Sequence, residues 1–407
     1  MFSISSTSLY NAWSYLVGSA IDVNDDDQSP IEKLFDVLEH GEIKAFRSML
    51  SKYADIDLCE RNAGDKTLLH VAAMKGKHEA IEALLKMSGA DIDIDTCTDR
   101  RDVDGPHLTD VTPLMLAAQY GHADAVRVLI AAGANIEAMN SMQYSVLMHA
   151  ICFNKPDIVD ILLAAGARVD GITPPTETLL GAAATYAEGG VLTALIHAGA
   201  DVNATNSNGD TPLMAAARYH TEDSVKALIR AGASVNAVNH AGDTALILAA
   251  GNGRARAVGA LMKANANINA INHVGDTPLI VACRFDYVAA VNALPAPHDY
   301  ASAYEWDRQA ADIPLRPQRI VRALVHAYED VIYTTNDAGQ TGIMAAASVG
   351  NSSVITELIE AGADVHAVDN QGRTAVNYAL DRGNLAVTNQ LHHWMDRIEP
   401  RVTMHSA

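Results

Sequence analysis

Along most of the chain a short apolar block follows a threonine or serine, and the blocks return every 33 residues. The openers are Thr112, Ser145, Thr178, Thr211, Thr244 and Thr277, and after a gap Thr341 and Thr374. TPLMLAA from Thr112, TPLMAAA from Thr211, TALILAA from Thr244, TPLIVAC from Thr277 and TGIMAAA from Thr341 are variants of one word. Threonine before such a block predicts a helix N-cap. Pro113, Pro212 and Pro278 then fall at the first helical position, where a missing N–H costs nothing. The Leu-Ala-Ala content predicts a thin inner helix that a neighbouring block can approach closely. A second helix follows, with apolar positions at helical spacing such as Val225, Leu228 and Ile229. It ends 21 residues after the opener at Gly133, Gly166, Gly199, Gly232 or Gly362. Glycine there supplies the left-handed backbone of a helix C-terminus, and Asn265, the residue next best suited to it, stands in the one regular block without glycine. The ADVNA or NINA segment and the Asn-to-Gly stretches Asn239–Gly242 and Asn272–Gly275 predict an extended turn.

A chain with this periodicity is a stack of one supersecondary unit, and its function lies on the surface that stacking creates. The words resemble the ankyrin repeat family, whose consensus runs G-x-TPLHxAAxxGH…LLxxGADVNA. The resemblance covers roughly Pro30 to Met395. It implies a mostly α fold, a curved ankyrin-repeat α-solenoid of helix–turn–helix units with β-hairpin fingers and a concave recognition face. Ten units are expected. The first, Pro30–Glu60, lacks the TPLH word but keeps Gly41 and a second helix over Ile43–Leu50. The last, Asp369–Met395, reads as a closing cap. The array then spans residues 30–398, between an N-terminal segment over 1–29 and a tail over 399–407.

The period breaks twice. Twelve extra residues lie near Thr96–His107, a charged stretch that would lengthen one finger, and 31 lie near Asp286–Arg316. The stretch from Val291 to Arg319 carries Tyr300, Tyr304, Trp306 and four prolines before helical periodicity resumes, and long loops in compact arrays are commonly functional. In the N-terminal segment Leu9, Trp13, Leu16, Val17 and Ile21 share one helical face, which fits a further cap or a docking helix.

Charge narrows the partner. The formal net charge is −20, from 29 basic and 49 acidic residues. That balance disfavours phosphate backbones and anionic lipid headgroups, so protein partners with basic or mixed surfaces are expected and nucleic acid is not. No apolar run approaches a membrane span. Cys59, Cys97, Cys152 and Cys283 contain no CxxC pair, which suits a reducing cytoplasm. Degenerate ankyrin arrays with inserts also resemble bacterial effectors, which implies host cytosol if the chain is secreted. A monomer is expected.

Recognition is expected on the column eight residues after each opener: Tyr120, Phe153, Tyr186, Tyr219, then Asn252, then Phe285. In the family's geometry this position is the exposed end of the inner helix, and aromatic anchors are enriched at binding hot spots. Stacking of these rings between repeats is the structural alternative. The neighbouring column, with Gln119, Cys152, Thr185, Arg218 and Arg284, would form a polar edge. Met142, Tyr144, Asn208, Asp210, His240 and His273 at hairpin tips, with Tyr304 and Trp306, would complete the face. Asn203, Asn236 and Asn269 resemble ankyrin asparagines accepted by the asparaginyl hydroxylase of animal cells. Mass spectrometry after co-incubation tests that reading.

No P-loop, HExxH, GxSxG or paired-CxxC pattern is present. Asp91, Asp93 and Asp95 mimic the start of a calcium loop, but Thr96 stands where glycine is needed and Asp102 where a bidentate glutamate belongs. His149 and Cys152, three residues apart, lack a third orienting group. His240 and His273 lack further ligands, so no metal or cofactor is expected. The main reading is a non-catalytic interaction module. The alternative is an enzyme built from His298, Asp299, Tyr300 or Asp307 in the second insertion.

Overall fold

The computed structural model describes residues 29–53, 56–87, 92–98, 109–170, 172–173, 177–187, 189–219, 222–284 and 316–398. The chain divides into two compact units, Met1–Asp201 and Val202–Ala407. Among the described residues the first unit holds five helix pairs: Pro30–His40 with Ile43–Lys52, Leu68–Met74 with His78–Met87, Pro113–Tyr120 with Ala123–Ala131, Val146–Cys152 with Pro156–Ala164, and Leu179–Tyr186 with Gly189–His197. The second holds five more: Pro212–Tyr219 with Glu222–Arg230, Ala245–Gly251 with Ala255–Lys263, Pro278–Cys283 with Arg316–Ala327, Gly342–Val349 with Ser352–Glu360, and Ala375–Asp381 with Leu385–Met395. Within each unit, inner helices pack on inner helices and outer on outer.

The opener residues set the start of each inner helix. The hydroxyl of Thr112 accepts the Met115 amide at 3.2 Å, Ser145 that of Met148 at 3.2 Å and Thr178 that of Gly181 at 3.0 Å. Each such bond satisfies an orphan amide and is worth about 1 kcal/mol. Outer helices end as the sequence requires. Gly133, Gly166, Gly199, Gly232 and Gly362 have φ between 91° and 96°, and Asn265 takes φ 61° in the same role.

Burial follows from the stacking. Leu114, Met115, Ala117 and Ala118 are fully buried in one inner helix, because neighbouring repeats cover it on both sides and its own outer helix covers a third. Only its last turn reaches solvent. The outer helices bury a single stripe, as in Ala125, Val126 and Leu129 or Ile158, Val159 and Leu162. Each buried leucine contributes roughly 1.5–3 kcal/mol, and no repeat keeps that contribution without its neighbours.

The fingers are stitched to each other in both units. In the first, the Ser141 amide donates to the Thr109 carbonyl at 3.0 Å, and Glu137 Oε1 accepts the Arg168 amide at 2.9 Å. In the second, the His240 amide donates to the Asn208 carbonyl and the His273 amide to the Ala241 carbonyl, at 3.0 and 2.9 Å. The first insertion leaves and rejoins a finger at a paired base. Thr98 donates to the Val111 carbonyl at 3.2 Å and accepts from Asp110 at 2.8 Å. Asp95 spans that finger to the next repeat through the Asn135 amide, at 2.9 and 3.2 Å, so its carboxylate serves as a staple. After the second insertion the helix Arg316–Ala327 restores the outer layer, and a 3-10 turn, Glu329–Tyr333, replaces the usual glycine-ended exit.

Candidate protein-interaction face

The inner helix of each regular repeat shows solvent only its last turn, and there the aromatic column stands. In the first unit Tyr120, Phe153 and Tyr186 are 38%, 37% and 58% exposed, and in the second Tyr219 is 50% exposed. Such exposure is high for large rings on helices otherwise buried. Local contacts position two of them: Tyr120 stacks on His122 with centroids 6.3 Å apart, and the Arg218 guanidinium lies 5.8 Å from the Tyr219 centroid. His122 is fixed in turn, since its Nε2 donates to the Met74 carbonyl at 2.9 Å. Phe285, Tyr304 and Trp306, together with residues 286–315, the N-terminal apolar face and the tail over 399–407, lie outside the described residues.

The polar edge divides by unit. In the first, Gln119, Cys152 and Thr185 are partly exposed beside the aromatics. Burial pushes the Cys152 thiol up to about 12, with Glu177 adding to the shift. A thiol held protonated is a poor nucleophile. Cys283 is likewise pushed up by burial. His149 is buried and its Nε2 faces Asn140 Nδ2 at 3.1 Å. That partner is an amide donor rather than a carboxylate, so no nucleophilic triad is assembled at His149.

In the second unit the edge is tied into the fold. Arg218 pairs with Asp210 at 3.5 Å, and Asp210 accepts from Asn239 of the next repeat at 2.6 Å. Arg284 grips Asp276 with both guanidinium nitrogens and donates to Gln340 at 2.8 Å. Asp276 also accepts from Asn336 at 2.9 Å, and Gln340 donates to the Tyr378 hydroxyl at 2.7 Å. The Tyr378 hydroxyl in turn donates to Asp369 at 2.7 Å. This chain of polar groups runs from repeat to repeat and was not evident in the spacing of single residues. Its signal is present in the sequence as Asp immediately before three openers (Asp210, Asp243 and Asp276) and Asn five residues before the next.

The hairpin tips hold the remaining candidates. Met142 is 44% exposed, and Tyr144 is half-buried with its ring edge-on to His149 at 6.4 Å. His240 and His273 are exposed, each against the glycine of the preceding finger, Gly209 and Gly242. Asn203 and Asn236 are exposed, yet both act as staples. Asn203 accepts the Ser234 amide and Asn236 the Asn267 amide, each at 2.8 Å. Asn269 is in the equivalent hairpin position, its amide donating to Asn267 Oδ1 at 3.1 Å. Among the described residues no group of three or more His, Cys, Asp or Glu is placed to hold a metal ion, and no helix is long and apolar enough to cross a membrane.

The comparisons follow this geometry. No curated protein matches the chain. The crystal structure of the human ASB11 ankyrin repeat domain is similar at 21% identity and a TM-score of 0.46, over 62% of this chain and 98% of that one. The family model described as ankyrin repeats (3 copies) matches residues 97–172, 179–272, 222–302 and 310–401, and the single ankyrin repeat model matches 64–97. With capped inner helices, glycine-ended outer helices and stitched fingers recurring across the matched residues, the chain belongs to the ankyrin repeat family.

Proposed function

We propose that the protein is a non-catalytic interaction module that takes protein partners on the exposed ends of its inner helices and on the adjoining hairpin tips. Ankyrin repeats generally serve protein–protein interaction, and a partner is the natural cover for rings that the stack leaves in water. The observation that carries the reading is the recurrence of Tyr120, Phe153, Tyr186 and Tyr219 at one repeat position, all more than a third exposed. Rigid aromatics bury large area at small entropic cost. Arg218 and Arg284, already committed to Asp210 and Asp276, act in this reading by holding the face in shape. Cys152 and Cys283, which form no disulfide, fit a reducing compartment, the cytoplasm or a host cytosol if the chain is a secreted effector.

The test compares affinity capture by the intact chain with capture by the Tyr120→Ala, Phe153→Ala, Tyr186→Ala, Tyr219→Ala variant. Partners bound by the first and lost by the second, with helical content and melting nearly unchanged, are expected. A large fall in melting temperature would assign the rings to stacking between repeats instead.

A further inference from the structure

The first unit is the acidic half of the chain: 29 of the 49 carboxylates fall within residues 1–201. The first inner helix, Pro30–His40, carries Glu32, Asp36 and Glu39, but none falls within the other four inner-helix segments, residues 67–78, 112–122, 145–155 and 178–187. The solvent-reaching positions of those segments are instead cationic, polar or aromatic: Lys75, Lys77, Tyr120, His122, Phe153 and Lys155 among them. Part of this has a purely internal cause. Lys77 donates to the Gly41 carbonyl at 2.9 Å and His122 to Met74, so both close the end of a preceding inner helix. Lys75 is exposed, and the stem of Lys155 lies across Gly121, which puts its ammonium beside the Tyr120 turn.

We infer that this face of the first unit takes an acidic segment of a protein partner, with Leu or Phe side chains against Tyr120, Phe153 and Tyr186 and carboxylates against Lys75 and Lys155. The inference rests on the proposed interaction function and reverses, for this face, the basic partner that net charge alone suggests. Charge decides locally. At physiological salt the screening length is about 8 Å, so a docked carboxylate responds to ammonium groups in contact with it more than to acids on the far side of the unit. Those acids, Glu79, Glu82, Asp124, Asp157 and Asp160 on the outer helices, oppose an acidic chain on the outer-helix side, while Glu177, near Cys152, bounds the permissive stretch at its Tyr186 end. Repulsion on the outer-helix side sharpens selection of the inner-helix face.

The experiment uses the full chain and two displayed peptide pools with Leu and Phe at the same positions, one filled with Asp and Glu, the other with Lys and Arg. The acidic pool is expected to be retained. The K75E/K155E variant should weaken retained acidic peptides about tenfold, and K75Q/K155Q less, with melting unchanged in both. Retention of the basic pool, no preference between pools, or acidic peptides indifferent to both lysine variants would overturn the inference. The Y120A/F153A/Y186A variant separates the two levels. If it abolishes binding while the lysine variants do not weaken it, only the acidic-partner inference falls. If neither set matters, the interaction face itself falls.

Discussion

Two buried histidines show how far one residue's setting departs from its letter. His70 is wholly buried. Its Nε2 donates to the Val111 carbonyl at 3.0 Å, and its Nδ1 accepts from the Thr67 amide at 3.3 Å, which fixes the neutral Nε2–H tautomer. His149 is of the opposite kind. Asn140 uses its oxygen for the Met142 and Tyr144 amides, so its Nδ2 donates to His149 Nε2 and the proton lies on Nδ1. Burial lowers both rings from 6.5 to about 4. An unfolded chain takes up these protons below pH 6.5 while the folded one does not, so stability is full above pH 6.5 and falls as pH drops from there toward 4. Each ring contributes up to roughly 3 kcal/mol of that loss. Thermal melts are expected to give a lower Tm near pH 5 than near pH 7.5, and His149→Met should flatten part of the slope. A Tm that rises on acidification would contradict the assignment. Asp369, held down to about 2 by hydrogen bonds from Tyr378, Gln371 and Arg373 that outweigh its burial, loses its contribution only at lower pH, between about 4 and 2. The TLLH word gives His70 away as an inner-helix residue, whereas nothing in the sequence shows that Asn140 faces His149. Their contact closes only when the finger folds back on its helix.

At the scale of the element, two kinds of glycine that look alike in the sequence differ in what surrounds them. Gly232 ends an outer helix at φ 92°, and a methyl there meets nothing within 4 Å. Gly242 sits in a finger at φ 77°, and a methyl there lies 2.8 Å from the His273 backbone nitrogen of the next finger. Gly232→Ala should therefore cost only the left-handed backbone penalty, about 1–2 kcal/mol. Gly242→Ala should cost more, because the finger stack must also spread. Denaturant melts of the two variants check the order, and equal costs would mean the fingers are not packed as described. Element boundaries were largely legible, since Thr, Pro and Gly act on the backbone within a few residues of themselves. The ties of Arg218 and Arg284 were not. They read as an open polar edge, but their partners Asp210, Asp276 and Gln340 are set by how one repeat sits on the next.

For the whole molecule the sequence shows the family clearly and the partner barely. Periodicity suffices for the first because a stacked array repeats its internal contacts and therefore its letters. A partner leaves its mark only on exposed positions, which folding does not constrain, so stacking stands beside the anchor reading of the aromatic column until solvent exposure is known. In the proposed reading the exposure of Tyr120, Phe153, Tyr186 and Tyr219 supports anchors, and the four carboxylate-free inner-helix segments of the first unit add a polarity to them. Hydroxyl-radical footprinting of the full chain, alone and with a captured partner, reads those side chains directly. Oxidation of the four rings should fall on binding, while the exposed Leu385 and Val368 keep their reactivity. Unchanged oxidation of the rings, with protection instead on the outer helices around Asp157 and Asp160, would contradict the assignment of this face.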